Sequence, residues 1–376
     1  MTGVQTCALP ISFLAPPGPR PGLAAAHRPP RIALFLLRWE WFRIYFCSGL
    51  VKLLSGDPQW HSLTALEHYY ENGPLPTWLG WYAQELPPAW FHHACAAAVL
   101  VIELAMPWVI FLSARLRRLA FYLLTPFQLA IILTANYAFL NYLVLALGVW
   151  LLDDPWLQTI GLPAPPPLPL NRTKRKFLFF ERASDWAARG VLGWILYSTI
   201  VLAPGLSHRL SRAQLLPAEL LRPFRIANRY GLFAVMTEDR FEIEFQGSRD
   251  GQIWTPYSFR YKPQDPQRAP GIYAPYQPRF EWNLWFASLG DFRKYPFTVR
   301  TELRLLEGSP EVLKLFATDP FNGVPPEYIR AVKSQYWFTT PKERQRSGAW
   351  WLRQDLGLYA PELRRAGGEI HPVRMP

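Results

Sequence analysis

The chain contains three cysteines, Cys7, Cys47 and Cys95, which is too few and too scattered for a disulfide framework or a zinc site. Cys47 and Cys95 fall in apolar helical runs, where a small thiol serves as core. No cysteine follows residue 95, so the remainder of the chain has no thiol nucleophile. It also has no GxSxG elbow and no HExxH pair, and Gly190 to Gly193 lacks the context of a phosphate-cradling loop. No repeat of fixed period is visible. Two further absences are local. Leu119 to Leu152 carries no charge, and Leu53 to Pro88 carries no Lys or Arg.

Half of the residues are hydrophobic and 15% are aromatic, yet the mean hydropathy is −0.02. Such an average arises when an apolar half is followed by a polar one. The net charge of +12 would fit nucleic acid if the basic residues lined one soluble face. They sit instead in short clusters between apolar runs, as topology signals do, so nucleic acid is not an expected partner. The first eleven residues, MTGVQTCALPI, read as the translation of a sequencing-library adapter. Residues 12–31 then read as a truncated remnant, and both are set aside from fold reasoning.

Apolar segments follow at Ile32–Leu54, Trp90–Leu112, Leu119–Leu152 and Gly190–Leu206. The third is about 34 residues, too long for one span of roughly 20. Asn136, Tyr137 and Asn141 offer a break, which gives a hairpin of Leu119–Ala135 and Phe139–Leu152. The sequence thus predicts about five transmembrane helices within 32–206. The basic clusters at Arg28 and Arg31, at Arg115, Arg117 and Arg118, and at Arg172, Lys174, Arg175 and Lys176 all fall on one side, which is then cytoplasmic. The loop 53–88 falls on the other side, and the proline-rich linker lies within 153–185 on the cytoplasmic side. The Asn171 sequon is on that side too and is expected to be unused.

From Ser207 the composition becomes that of a soluble domain, placed outside the cytoplasm. Phe241–Phe245 alternates with period two, a Gly247–Gly251 turn follows, and Ile253–Tyr261 reads as a second strand. Thr301–Leu306 and Pro326–Ser334 read as amphipathic helices. The predicted fold class is an α-helical membrane domain followed by a soluble α+β domain, residues 207–376, with a β-sandwich-like core.

Ionisable groups inside membrane helices are costly and are either paired or functional. Glu40 and Arg43 share a helix face. Arg43 and Glu103 each lie about 14 Å from the cytoplasmic end of their helices. Arg43 is therefore expected to pair with Glu103, Glu40 or both. Lys52 reads as a lysine snorkelling to the outer interface, with a proton-transfer lysine as the sharper alternative. Asn136 and Asn141 flank the helix break as caps or as cavity lining. Arg43, Lys52, Glu103, Asn136 and Asn141 form the candidate intramembrane polar site. Trp60, His68, Tyr70, Glu71, Pro74 and Pro76 of the outer loop, whose short helix is expected over Ser62–Tyr70, form a candidate client-binding surface. Its aromatic residues otherwise read as an interfacial belt. Arg279, Trp282 and Trp285 join that surface as a cation–π arrangement on a helix face, with core packing as the alternative. The histidines and carboxylates of the loop lack metal-motif spacing, so no metal and no cofactor is expected.

Four segments, FRIYFCSGLVKLLSGDPQW (42–60), LTALEHYYENGPLPTW (63–78), ILTANYAFLN (132–141) and YQPRFEWNLWFASLG (276–290), together resemble the lipase maturation factor family. FEIEFQGSRDGQIW (241–254) and GAWWLRQDLG (348–357) extend the likeness. The chain departs from the family wording at Tyr69 and Tyr276, where histidines are usual, and at Asn72 and Gly73. The resemblance implies a multi-span membrane protein with a lumenal soluble domain that assists the maturation of secreted clients, lipases among them, without catalysis of its own. In a bacterial setting, which the Ala- and Arg-rich composition favours, the membrane is the inner membrane and the domain is periplasmic; eukaryotic members occupy the endoplasmic reticulum. The helical part is more distantly similar to vitamin K-dependent γ-carboxylases, which implies the alternative of an intramembrane enzyme. Sugar or lipid recognition by the soluble domain is a third reading.

Overall fold

The computed structural model describes residues 31–137, 139–162, 178–231 and 233–376, with backbone alone over 178–185. The adapter-like segment, most of the N-terminal remnant, the proline-rich stretch, Asn171 and the Arg172–Lys176 cluster lie outside the described residues. In chain order the longer helices are α1 (Arg31–Leu54), α2 (Trp78–Glu85), α3 (Ala89–Ala105), α4 (Ala114–Thr134), α5 (Phe139–Gly148), α6 (Leu178–Val201) and α7 (Arg212–Leu221). They continue with α8 (Arg279–Ser288), α9 (Phe297–Leu306) and α10 (Pro341–Ser347). The strands are β1 (Arg240–Ser248), β2 (Thr255–Pro256), β3 (Tyr328–Phe338), β4 (Trp351–Leu358), β5 (Glu362–Ala366) and β6 (Glu369–Arg374). The chain divides into two compact units, one of residues 1–64, 94–129 and 140–236, the other of 65–93, 130–139 and 237–376.

The first unit is helical. Its core joins Leu37, Trp41 and Tyr45 of α1 to Ala120 and Leu124 of α4 and to Val144 and Leu147 of α5. A second cluster packs Ala33 and Leu36 against Leu192 and Ile195 of α6. The helix α1 stops at Ser55, before Gly56 at φ +74°, a conformation that costs glycine nothing. Among the described residues two helices are long and apolar enough to cross a membrane, Ala89–Phe111, whose last six residues are 3₁₀, and Ala114–Thr134. Phe139–Leu151 is a shorter apolar helix. Exposed Trp90, Val101, Trp108, Leu119 and Tyr122 give the two long helices an apolar surface, which a bilayer covers and water does not. The break between α4 and α5 falls where the asparagines predict it.

The second unit is built on one six-stranded sheet, ordered β2-β1-β3-β5-β6, with β4 also pairing β3. All the pairs are antiparallel. Ile243 and Phe245 of β1 and Ile329 and Ala331 of β3 lie on one face, against Leu284 of α8 and Leu305 of α9. A β-sandwich-like core was expected; the described residues show a single sheet whose apolar face is covered by helices. Three further expectations are corrected here. Pro326–Ser334 is not helical, because Tyr328–Phe338 runs as β3, paired residue for residue with β1 from Tyr328 opposite Ser248 to Tyr336 opposite Arg240. Its Ile-Ala-Val content suits either period, and cross-strand pairing decides. The strand at Ile253–Tyr261 shrinks to Thr255–Pro256, since Pro256 has no N–H to continue the ladder. The loop helix expected at Ser62–Tyr70 is replaced by single turns at Pro58–His61 and Tyr69–Asn72. Asp57 caps the first turn, with Pro58 at its opening position, and Leu63 at φ 64° ends it.

Candidate functional site

In the first unit the polar residues of α1 close into pairs. Arg43 donates to Glu40 Oε2 at 2.9 Å and to the Asn228 carbonyl at 2.7 Å. Glu103 is not its partner, because Lys52 occupies that carboxylate at 2.5 Å. Lys52 does not snorkel: it is 2% exposed and lies 4.9 Å from the Trp60 ring centroid. The reason is local. A Cβ at Gly49 would stand 2.9 Å from Glu103 Cβ, so glycine there lets α1 approach α3 closely enough for the ammonium to reach the acid. Trp60 is also buried and donates Nε1–H to the Phe233 carbonyl, so it belongs to the core and not to a belt. Asn141 is buried on α5. The polar candidates of this unit do not converge on a cavity among the described residues.

Asn136 belongs to the second unit and acts there as a clasp. Its amide donates to the carbonyls of Leu75 (3.0 Å), Pro76 (3.3 Å) and Gly271 (2.9 Å). Its Oδ1 accepts from the N–H groups of Tyr273 (2.6 Å) and Ala274 (3.0 Å). One side chain thus satisfies backbone groups of Leu75 and Pro76 and of the segment 271–274 that leads to α8, groups that would be expensive to bury unpaired.

The loop residues selected from sequence are placed as follows. Glu71 is buried, its Oε2 accepting from Phe338 N at 2.8 Å and its Oε1 facing His68 Nδ1 at 3.0 Å. Half-exposed His68 is held above the ordinary histidine value, by the Glu71 hydrogen bond before all else. Tyr70 packs on Tyr69 and His92. Pro74 and Pro76 are buried, and Pro76 bridges Ala135. Trp81 is buried with its Nε1–H on the Thr339 carbonyl, whereas Trp78 and Tyr82 remain exposed. On α8, Arg279 is exposed, Trp282 packs edge-on to Tyr137 at 6.3 Å and Trp285 packs on Phe286 at 4.9 Å. No cation–π contact joins the three among the described residues. Near the loop it is the Arg344 guanidinium that meets aromatic rings, 3.4 Å from the Trp350 centroid and 4.4 Å from that of Trp81.

Sequence reasoning missed the polar face of the sheet. Arg240, Glu242, Glu244 and Gln246 alternate along β1 opposite the apolar core, and the first three are buried. Arg240 donates to the carbonyls of Glu71 (2.7 Å), Gly73 (2.5 Å) and Pro74 (3.3 Å) and to Glu242 Oε1. Lys262 reaches the other oxygen of Glu242 at 2.7 Å. Glu244 accepts from Gln246, Gln264 and Arg353 at 2.6, 2.9 and 3.3 Å. Glu281 of α8 accepts from the N–H groups of Arg260, Tyr261 and Lys262. Burial pushes its carboxyl up against the pull of those donors. The signal was present: acidic residues alternate within a strand that is followed by six prolines between 256 and 278, a run too poor in N–H groups to form another strand over the charges.

A cleft of about 740 Å³ opens on this polar face, with Glu244, Gln246, Trp351 and Arg353 as its floor. Tyr261 and Tyr273 stand beside it, perpendicular to each other with ring centroids 4.9 Å apart. The volume falls in the range of small-molecule and segment-binding sites.

Residues 6–159 match the family described as Lipase maturation factor transmembrane domain, and residues 226–361 match the Lipase maturation factor C-terminal domain. Lipase maturation factor 2 of Rattus norvegicus is 31% identical, aligned over 92% of this chain and 62% of the relative. The Homo sapiens lipase maturation factor 2 is 31% identical over 88% of this chain and 60% of its own length. Lipase maturation factor 1 of Mus musculus is 32% identical over 89% and 60%. The chain therefore spans about three-fifths of these relatives. No solved structure matches it.

Proposed function

We infer the function from the premise that this chain belongs to the lipase maturation factor family. It is a membrane protein that assists the maturation of secreted client proteins, lipases among them, by binding them through its second unit. The observation that carries this reading is the cleft on the polar face of the sheet, in the same compact unit as residues 65–88 of the outer loop. The loop's Glu71, Pro74 and Pro76 serve that unit by joining the loop to the sheet, while exposed Trp78 and Tyr82 and the cleft offer contact to a client.

In this proposal about five helices span the membrane, the unit with the sheet faces away from the cytoplasm, and in a bacterium that side is the periplasm. The two long apolar helices and the Arg115–Arg118 cluster in the first turn of the second support that orientation. The client reading is favoured over the intramembrane-enzyme alternative by the pairing of Arg43 with Glu40 and of Lys52 with Glu103.

The test is capture of a purified secreted lipase by the detergent-solubilised full chain. Binding that falls when Tyr261→Ala or Tyr273→Ala is introduced, in variants that melt like the parent, supports the reading. Undiminished capture by both variants removes the cleft from it, and no capture of any secreted hydrolase tested removes the function.

A further inference from the structure

The charges on the floor of the cleft are already spent on one another. Glu244 is bonded by two amides and Arg353, Arg353 also holds Asp355 Oδ1 at 2.9 Å, and Lys262 is held by Glu242. On that floor an ionic ligand would find no uncompensated counter-charge and would lose its hydration for little return; exposed Arg268, bonded to the Phe259 and Arg260 carbonyls, and exposed Asp265 stand at its border. What the floor presents is neutral, directional hydrogen bonding. Arg353 is engaged through Nε and Nη1 and Asp355 through Oδ1 alone, and Gln246 uses one amide hydrogen on Glu244. These planar groups sit beside aromatic rings that are not sealed: Tyr261 and Tyr273 are each only partly buried.

A peptide held by its backbone fits the cleft poorly. Four of the bordering residues, Pro256, Pro263, Pro266 and Pro270, have no N–H to give to an added strand. A ring with an apolar C–H face and a rim of hydroxyls fits well, because the tyrosine rings cover the face while the amide, carboxylate and guanidinium edges pair with the hydroxyls. We propose that the cleft between β1 and the Pro256–Tyr273 segment binds a neutral carbohydrate, one to a few sugar rings, through Tyr261, Tyr273, Gln246, Arg353 and Asp355. The proposal rests on the client reading for the origin of the sugar, as a glycan carried by the client.

The experiment uses the full chain in a detergent without a sugar headgroup, titrated with N,N′-diacetylchitobiose and α-1,2-mannobiose and followed by saturation-transfer NMR. At least one sugar is expected to bind saturably, with transfer to its ring C–H protons. Tyr273→Ala and Asp355→Ala each weaken that binding roughly tenfold or more while the melting temperature stays at the parent value. Absence of saturable binding by either sugar overturns the proposal. So does sugar binding unchanged in both variants, or a proline-rich peptide displacing a cleft probe that neither sugar displaces. A purified secreted lipase, captured before and after enzymatic removal of its glycans, separates the two readings. Equal capture of both forms overturns the sugar proposal and leaves the client reading standing. Capture of neither form, with disaccharide still bound, removes the client reading and supports the sugar site.

Discussion

Arg240 and Glu71 hold each other's segments in place: the Arg240 guanidinium donates to the Glu71 carbonyl at 2.7 Å, and the Glu71 carboxylate takes the Phe338 N–H of the neighbouring strand at 2.8 Å. The loop is thereby fixed at both its backbone and its side chain to β1 and β3, the two strands that form the floor of the unit. A charged pair alone would explain little, but the guanidinium also caps the carbonyls of Gly73 and Pro74 and pairs with Glu242, so both of its terminal nitrogens are engaged.

Arg240→Ala therefore leaves three carbonyls uncapped and Glu242 with one cation in place of two. A destabilisation of about 3–5 kcal/mol is expected, with new protease cleavage within residues 65–76. Arg240→Lys should not rescue it, because a single ammonium cannot span the same acceptors. Limited proteolysis and thermal melting in detergent check both outcomes.

Lys52 and Glu103 give a second prediction. Lys52→Met alone strands a buried carboxylate and should lower stability by about 3–5 kcal/mol, whereas Lys52→Met with Glu103→Leu should restore most of it. If the double variant melts like the parent but loses the proposed capture of a secreted lipase, the pair has a role beyond packing.

Asn136 is predicted to be irreplaceable in its own chemistry. Asn136→Ala leaves the Tyr273 and Ala274 N–H groups and the Pro76 and Gly271 carbonyls without their partner, while Leu75 keeps the Asn136 backbone N–H, at about 1–3 kcal/mol for each one left dry. Asn136→Asp keeps the acceptor for Tyr273 and Ala274 but sets a carboxylate against the Leu75, Pro76 and Gly271 carbonyls. Both variants should loosen the second unit, read as faster amide exchange at Tyr273 and Ala274.

His68 supplies a pH dependence. The Glu71 hydrogen bond raises its value above the ordinary 6.5, partial burial opposes it, and the charges of Glu71, Glu67 and Asp239 add to the rise. A folded value above the unfolded one stabilises fully below the unfolded value and is lost as pH rises through the folded one. The melting temperature should accordingly fall over that window, and His68→Gln should flatten the profile. The effect is small, since His68 is half exposed to solvent.

The helices were legible because their physics is local: long apolar runs, a charge-free hairpin and an asparagine-marked break are all written in consecutive residues. The β1 strand was legible from FEIEF, since period two survives any tertiary context. β3 was not, because Ala331 and Val332 suit a helix as well as a strand until β1 lies beside them. The partner of Lys52 was also out of reach, as it depends on how closely Gly49 lets two helices approach. Sequence alone decided that this chain has a helical apolar part and a sheet-bearing polar part, because composition and periodicity fix solvent and element type. Only the tertiary structure decided that residues 65–88 of the loop and the Asn136 break join the sheet's unit, and that charges alternating along one strand line a cleft. Hydrogen bonds between residues more than a hundred positions apart made those choices.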